Sequence, residues 1–353
     1  MRLDSSVPKI KPADGGAYGG GGLSFCSVEE GASRFLRGRA GKVLALAEDS
    51  AFSAMLPAVR LPRAVSVLWE GDALPLFAMP EVSGVLAAGG KEVLQAARFF
   101  AAVRGVPCAL FPAGAALDGA FSPRGEVSVN ANRIRVPLSP AEVFCDCAFL
   151  RGSLSEGYAR LMLSRLALFE ARAVGLLCRR PFGGAGYEEA FSLSGMTGEL
   201  PPEEIVRRNA RLRVLEDGGV PRGEGIVLGI PAYESWRLLL GLYLAFFAKG
   251  KPRRYAVPDY AARAKAAGVS YAELCLPSRQ DYAARALRLE RVRGELLTEL
   301  RALAARKNAY ERALRTYGVL PAAGTDVHKL KTLPERAEGG LSSVIRDFGL
   351  MDF

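Results

Sequence analysis

Four short, almost uninterrupted apolar runs follow one another between residues 42 and 114, and they constrain the fold more than any other feature of the chain. They are KVLALAED (Lys42–Asp49), AVSVLWEG (Ala64–Gly71), VSGVLAAGG (Val82–Gly90) and PCALFPAG (Pro107–Gly114). Apolar residues at consecutive positions are typical of parallel strands that are covered on both faces, because a half-exposed strand would alternate between apolar and polar residues. The sequence therefore predicts the strands of a buried parallel sheet in this region.

A helix is predicted between the third and the fourth of these runs. The segment KEVLQAARFFAAVRG (Lys91–Gly105) has apolar residues at helical spacing and a glycine at its end. Strand, helix and strand together form one unit of a doubly wound sheet. The later segment EVSVNANRIRVPLSPAEVFCDC (Glu126–Cys147) predicts a hairpin and one further strand. The first part of the chain is therefore expected to be a Rossmann-like α/β domain with a doubly wound parallel sheet.

The strand pattern stops after Arg151, and the rest of the chain has helical spacing. We predict a flexible, glycine-rich arm over residues 1–22, a nucleotide-binding domain over residues 23–152 and an all-helical domain over residues 153–353. The predicted helices cover residues 155–178, 202–215, 232–249, 259–267 and 281–317. Ligands of doubly wound sheets bind beyond the carboxyl ends of the strands, so a cleft between the two domains is the expected site.

Composition and charge exclude several classes of protein. The net charge is +10, but the basic residues are spread over helices and interleaved with glutamate, which favours a solvated surface over a nucleic-acid groove. The longest apolar run, Leu238–Ala248, is too short to span a bilayer. No export signal is visible, so we expect a cytoplasmic protein whose six cysteines, none in a CxxC pair, are core residues.

Two loops at predicted strand ends have residues suited to ligand binding. In AAGGKEV (Ala87–Val93), glycines at the start of a helix let backbone amides approach a diphosphate, but they are also ordinary turn residues. In LFPAGAALDGAFSPRG (Leu110–Gly125), Asp118 is the only carboxylate among small, mostly apolar residues. Either this loop wraps around a ligand, or Asp118 and Gly119 simply form a turn.

The order and spacing of these segments resemble the iron-containing alcohol dehydrogenase and dehydroquinate synthase superfamily. Within it, the sn-glycerol-1-phosphate dehydrogenases are the most similar. The second loop matches one of their motifs at Pro112, Asp118, Gly119, Ser122 and Pro123. The likeness continues through VPLSPAEVFCDCAFL, with Asp146 as the carboxylate of a later motif, and through the helix LSEGYARLMLSRLALFEARAV.

The resemblance implies a cofactor, NAD or NADP, and assigns residues to it. By that likeness Ser122 approaches the cofactor, and Asp49 lies near the adenine ribose. The residues implied at the diphosphate are Gly89, Gly90, Lys91 and Glu92. Asp118 and Asp146 are the implied substrate-binding carboxylates.

The chain departs from the family at the metal site. Members of the family hold zinc or iron with an aspartate and two histidines, but here Arg160 stands at the aspartate position, and Trp236 and Arg237 fall on a Glu-His pair. The only histidine, His328, is interpreted as a surface residue. A catalytic zinc needs three protein ligands, and an arginine brings a permanent positive charge, so we expect no metal and assign no catalytic residue.

The sequence therefore predicts a divergent glycerol-1-phosphate dehydrogenase-like protein that has lost metal-dependent catalysis. It would bind a nucleotide or a phosphorylated small molecule, with Arg160 and Arg237 as an anion clamp, unless Arg160 pairs with Asp118 or Asp146. The alternative is an active NAD(P)-dependent oxidoreductase that acts on a glycerol phosphate or a similar polyol without the usual metal. A homodimer through the α/β domain is compatible with both.

Overall fold

The computed structural model describes residues 22–37, 39–59, 63–257, 259–267, 277–318, 333 and 340–349. The chain divides into two compact units, the first ending at Leu150 and the second beginning at Arg151. The predicted arm, apart from Gly22, and both Cys275 and His328 lie outside the described residues.

The first unit contains a six-stranded sheet whose strand pairs are all parallel. Its strands, in the order β1-β8-β5-β4-β2-β3, are β1 (Leu23–Phe25), β8 (Glu142–Cys145), β5 (Cys108–Pro112), β4 (Gly84–Gly89), β2 (Val43–Ala47) and β3 (Ala64–Leu68). The consecutive apolar residues of β2, β4 and β5 are buried throughout. The predicted α/β fold with a parallel sheet is confirmed.

Three helices belong to this sheet: α1 (Val28–Leu36), α2 (Asp49–Val59) and α3 (Lys91–Arg104). The predicted strand ran to Asp49, but β2 ends at Ala47 and Asp49 is already the first residue of α2. The helix α3 ends at Gly105, which has a left-handed conformation (φ 67°), as its sequence predicted.

The predicted hairpin is confirmed as a separate two-stranded antiparallel sheet, β6 (Arg124–Val129) and β7 (Asn132–Pro137). Its turn residues, Asn130 and Ala131, both have positive φ. The carboxylate of Asp72 accepts the amide N–H groups of Asn130 (3.0 Å) and Ala131 (2.8 Å), so the segment after β3 holds the tip of the hairpin.

In the described part of the second unit, every regular element is helical. The helices are α4 (Leu154–Cys178), α5 (Ala185–Leu193), α6 (Pro202–Asp217), α7 (Ala232–Lys249), α8 (Tyr260–Ala267), α9 (Arg279–Ala305), α10 (Lys307–Thr316) and α11 (Leu341–Asp347). The prediction of a single helix over residues 281–317 is wrong, because the helix is interrupted at Arg306, between α9 and α10. Within the described ranges, none of the helices combines the length and the apolar character that crossing a bilayer requires.

Candidate functional site

Sheet register determines which side chains meet at the carboxyl edge of the first unit. Ala47 of β2 pairs with Ala88 of β4, and the amide of Glu48 donates to the carbonyl of Ala88 at 3.1 Å. Glu48, the first residue after β2, therefore lies beside Gly89, the last residue of β4. Gly90 then leads directly into α3.

The turn at Gly89 and Gly90 is tight, and at Gly89 a larger residue would clash. Gly89 has φ 145°, and a Cβ atom there would lie 2.6 Å from Val93 Cγ1 and 2.8 Å from Glu48 Cδ. A Cβ atom on Gly90 would lie 3.2 Å from Glu48 Oε1. Gly90 is the N-cap of α3 and makes no side-chain capping bond. The amides in the first turn of α3 therefore have no cap from their own N-cap residue, an arrangement that suits a bound anion.

Glu48 is the functional candidate that sequence reasoning missed. Asp49, which the resemblance placed near a ribose, is exposed at the start of α2, and that role stays a prediction. The carboxylate that contacts the glycine turn is that of Glu48. Side chains alternate along a strand, so Glu48 follows Leu44 and Leu46 onto one face of the sheet. That alternation was the signal that could have distinguished Glu48 from Asp49.

Lys91 and Glu92 lie in the first turn of α3, where both are exposed. They line a pocket of about 130 Å³ together with Gln95 of α3, Trp69 from the segment after β3, and Glu126 and Arg133 of the hairpin. Arg133 pairs with Glu92 at 3.3 Å, but both side chains are largely exposed, so the pair contributes little to stability. The pocket offers one aromatic face with charges of both signs around it.

The loop that contains Asp118 packs on α3. Gly119 has φ 83°, its carbonyl accepts a hydrogen bond from Arg98 Nη1 at 3.0 Å, and a Cβ atom on it would lie 2.9 Å from the carbonyl oxygen of Lys91. Asp118 and Gly119 therefore form a turn, one of the two interpretations of this loop. Asp118 and Ser122 are both half-buried, and their roles toward a ligand stay predictions.

Asp146, directly after β8, holds backbone amides. Its Oδ2 accepts the N–H of Val28 at 3.2 Å, and its Oδ1 accepts those of Ala148 at 2.9 Å and Phe149 at 3.2 Å. Because Val28 is the first residue of α1, the carboxylate fixes the start of that helix. Both oxygens have structural partners, and the predicted contact with substrate would compete with these bonds.

In the second unit, Arg160 and Arg237 lie on helices that pack against each other, α4 and α7. Glu156, one turn before Arg160, accepts the amide N–H of Ala232 at 3.2 Å and so caps the start of α7. Both arginines are half-buried. Trp236, beside Arg237, is 1% exposed and stacks on Tyr233 with ring centroids 6.2 Å apart. The structure therefore places the helices of the predicted clamp together and gives Trp236 to the core.

The donor atoms in the described ranges do not fit a catalytic metal. Among those residues, no group of three or more histidine, cysteine, aspartate or glutamate side chains could hold a metal ion. The two positions that the resemblance assigns to metal ligands and that can be matched in this chain carry Arg160 and Arg237. Neither side chain offers a lone pair to a cation at physiological pH, since the guanidinium stays protonated.

Solved structures share this fold, although no family model and no curated protein matches the sequence. A probable glycerol dehydrogenase from Sinorhizobium meliloti 1021 aligns with a TM-score of 0.53 at 14% identity, over 94% of this chain and 96% of that one. A maleylacetate reductase from Rhizobium sp. strain MTP-10005 aligns with a TM-score of 0.50 at 17% identity, over 93% and 94%. The chain therefore shares its fold with these two solved structures. At such low identity, the likeness extends to the fold alone.

Proposed function

We propose that the α/β unit binds NAD(H), or another phosphorylated small molecule with vicinal hydroxyls, at the turn between β4 and α3. We propose further that the protein has lost metal-dependent hydride transfer. The observation that carries the first part is the Glu48 carboxylate, which lies against Gly89 and Gly90 at the start of α3.

The chemistry of this turn suits a nucleotide diphosphate. Gly90 has no side chain that could cap α3, and the N-terminus of α3 carries partial positive charge. In doubly wound sheets, a carboxylate at the end of the strand next to the glycine turn accepts hydrogen bonds from ribose hydroxyls. Glu48 has that position, and the exposed Lys91 adds a positive charge nearby. A bound dinucleotide would supply a hydride donor or acceptor.

Glu48 should also favour NADH over NADPH, because a 2′-phosphate beside a carboxylate is repelled. Calorimetric titration of both dinucleotides tests this. We expect Glu48→Gln to weaken NADH binding about tenfold, the value of one charge-assisted hydrogen bond, and to reduce the preference for NADH. Asp49→Asn is the matched control and should leave both affinities unchanged. Wild-type protein that binds neither NAD(H), NADP(H) nor simple phosphate esters would overturn the proposal, as would equal effects of the two variants.

The second part rests on Arg160 and Arg237, which stand where the resemblance would require metal ligands. Guanidinium groups bind phosphate and carboxylate through bidentate hydrogen bonds. We therefore propose that Arg160 and Arg237 bind the anionic group of a substrate-like molecule. Arg160→Ala and Arg237→Ala should each weaken the affinity for glycerol 1-phosphate about tenfold, which is the loss of one charge-assisted contact. The exposed Arg291 supplies the control variant Arg291→Ala, which should have no effect.

Elemental analysis and an activity assay separate this proposal from its alternative. We expect purified protein to contain no stoichiometric zinc or iron and to leave NADH unoxidised with dihydroxyacetone phosphate, with or without added Zn²⁺ or Fe²⁺. Turnover that requires one of these metals would contradict the proposal. Turnover that persists in a chelator would instead identify a metal-independent reductase.

A further inference from the structure

The pocket at Trp69 is lined by a buried amide that has an unused acceptor. Gln95 lies one turn after Lys91 on α3, lines this pocket and is 4% exposed. Its Oε1 atom has no hydrogen-bond partner among the described residues. A Cβ atom on Gly125, in β6, would lie 2.7 Å from Gln95 Nε2, so the hairpin packs closely on this amide. A buried acceptor without a partner is costly, and a ligand that donates a hydrogen bond would remove that cost.

Trp69 supplies an aromatic wall of the same pocket. It follows β3 directly, its amide N–H donates to the carbonyl of Ala47 at 2.8 Å, and its side chain is half-buried. Tryptophan side chains stack on nucleobases, because every base has a flat π-face. An apolar cavity of about 150 Å³ in another protein binds benzene. The pocket at Trp69, about 130 Å³, therefore has the size for one aromatic ring.

The charged residues around the pocket do not favour an ion of either sign. Lys91 and Arg133 carry positive charges, and Glu92 and Glu126 carry negative charges. All four are exposed, and Arg133 pairs with Glu92 at 3.3 Å. The lining therefore suits a neutral ring, whereas a phosphate is better bound by the amides at the start of α3.

The pocket adjoins the turn that we propose as the phosphate site. Lys91 and Glu92 belong both to the lining of the pocket and to the first turn of α3. Strands β2 and β3 are paired in parallel, so Glu48 and Trp69, which follow them, lie beside each other. A nucleotide with its phosphate at Gly90 and its ribose at Glu48 would therefore have its base at Trp69.

The side-chain amide of Gln95 can distinguish between bases. Adenine presents an exocyclic amino group beside the acceptor N7, and a glutamine amide forms hydrogen bonds with both. Hypoxanthine has an oxygen in place of the amino group, so it presents two acceptors on this edge. The acceptor oxygen of Gln95 would then face another acceptor and gain no hydrogen bond. A free acceptor at this position therefore favours adenine.

We propose that the pocket at Trp69 binds the adenine base of a nucleotide, stacked on Trp69 and hydrogen-bonded through its amino group to Gln95. This inference rests on the proposed function, because it requires the phosphate of the same nucleotide at the glycine turn. It adds the base to that site and makes Gln95, a residue without a recognisable motif, the determinant of base selectivity.

Calorimetric titration with AMP, IMP and ribose 5-phosphate tests this, because the three probes share the ribose phosphate and differ in the base. We expect AMP to bind about tenfold more tightly than ribose 5-phosphate, the value of one stacked base. AMP should bind about fivefold more tightly than IMP, the value of one hydrogen bond. Gln95→Met should lower the affinity for AMP to that for IMP and leave IMP unchanged. Gln280→Met, the same change at an exposed position of α9, should leave all three affinities unchanged.

Tryptophan fluorescence locates the base. The chain has two tryptophans, and Trp236 is 1% exposed in the helical unit, so a stacked base should quench Trp69 alone. We expect AMP to quench the fluorescence of the wild-type protein and ribose 5-phosphate to leave it unchanged. Trp69→Phe keeps an aromatic face, and it should bind AMP without a change in fluorescence.

The outcomes separate the base pocket from the phosphate site. Equal affinities for AMP and ribose 5-phosphate, without quenching, would overturn the pocket as a base site and leave the phosphate site standing. Equal affinities for AMP and IMP would overturn the role of Gln95, as would an unchanged preference in Gln95→Met. Protein that binds none of the three probes would contradict the phosphate site itself, and the base pocket with it. If Gln95→Met does not fold, the comparison of AMP with IMP in the wild-type protein decides.

Discussion

The glycine turn of the α/β unit and the second turns of α4 and α7 differ in the kind of residue that they present. The glycine turn combines Gly89 and Gly90 with the adjacent carboxylate of Glu48, the residues on which the proposed nucleotide site depends. On α4 and α7, the positions that the resemblance assigns to metal ligands carry Arg160 and Arg237. The comparison teaches that the proposed phosphate site and the proposed anion clamp can be tested separately, because they depend on different residues.

Replacing Trp236 should produce the largest effect and tests whether that position belongs to the core. Trp236→Ala removes a side chain that is 1% exposed, and we expect a loss of about 3–5 kcal/mol in the free energy of unfolding, measured by urea denaturation. Trp69, half-buried at the pocket, is the other tryptophan, and Trp69→Ala should cost far less stability. Equal losses in the two variants would show that Trp236 is not an anchor of the helical core.

The stability of the helical unit should fall as the pH rises, unlike that of the α/β unit. Burial raises the pKa of Glu224 from 4.5 to about 7. The folded state is therefore stabilised while this carboxyl is protonated, and we expect the free energy of unfolding to fall by about 3 kcal/mol as the pH rises between these two values. Urea denaturation at pH 5 and pH 8 measures the loss, and Glu224→Gln should remove most of it. The same pH dependence in the variant would assign the effect to other groups.

A methyl group at the glycine turn should lower the free energy of unfolding, because it would clash with neighbouring side chains. Gly89→Ala would place Cβ 2.6 Å from Val93 Cγ1 at φ 145°, and we expect about 2 kcal/mol of destabilisation. Gly90→Ala, at an ordinary φ of −84°, should cost less stability and mainly weaken nucleotide binding. Unfolding and titration of the two variants together separate backbone strain from lost ligand contact. A Gly90→Ala protein with wild-type affinity would speak against the turn as the phosphate site.

The smallest effect should come from Asp146, whose bonds are structural. Asp146→Ala removes the acceptor for the first amide of α1, and we expect about 1 kcal/mol of destabilisation, as for other lost helix caps. Thermal unfolding measures it, with Arg291→Ala, at an exposed position, as the control that should leave stability unchanged. If Asp146→Ala were as stable as wild type but had lost affinity for glycerol 1-phosphate, the carboxylate would belong to the ligand site.

The sequence predicts the elements better than the contacts between them. Apolar runs located β2, β4 and β5 because burial on both faces imposes a composition that is visible locally. The break at Arg306 has no glycine or proline to mark it, so α9 and α10 were predicted as one helix. It is packing that sets the boundary there.

At the candidate site too, features with a local sequence pattern were predicted, and features that depend on packing were not. Gly89 and Gly90 were identified because they precede a predicted helix. Glu48 was missed because the predicted strand β2 was two residues too long, and the exact end of the strand determines whether Glu48 or Asp49 faces the glycine turn. The amide N–H of Glu224 donates a hydrogen bond to the buried carboxylate of Glu170, 54 residues earlier in the chain. This contact follows from the packing of the helical unit, so no local sequence pattern predicts it.

The hydrogen bonds that the Asp72 carboxylate accepts have a practical consequence for protein engineering. Hairpin tips are common places to insert a tag or a fluorophore, but here the tip is hydrogen-bonded to a carboxylate 58 residues earlier. The amides of Leu74, Ala131 and Asn130 lower the pKa of that carboxylate, so it stays an acceptor in mildly acidic buffers. An insertion between Asn130 and Ala131 would therefore detach one wall of the pocket at Trp69, and a probe is better attached elsewhere, such as at the exposed Arg291.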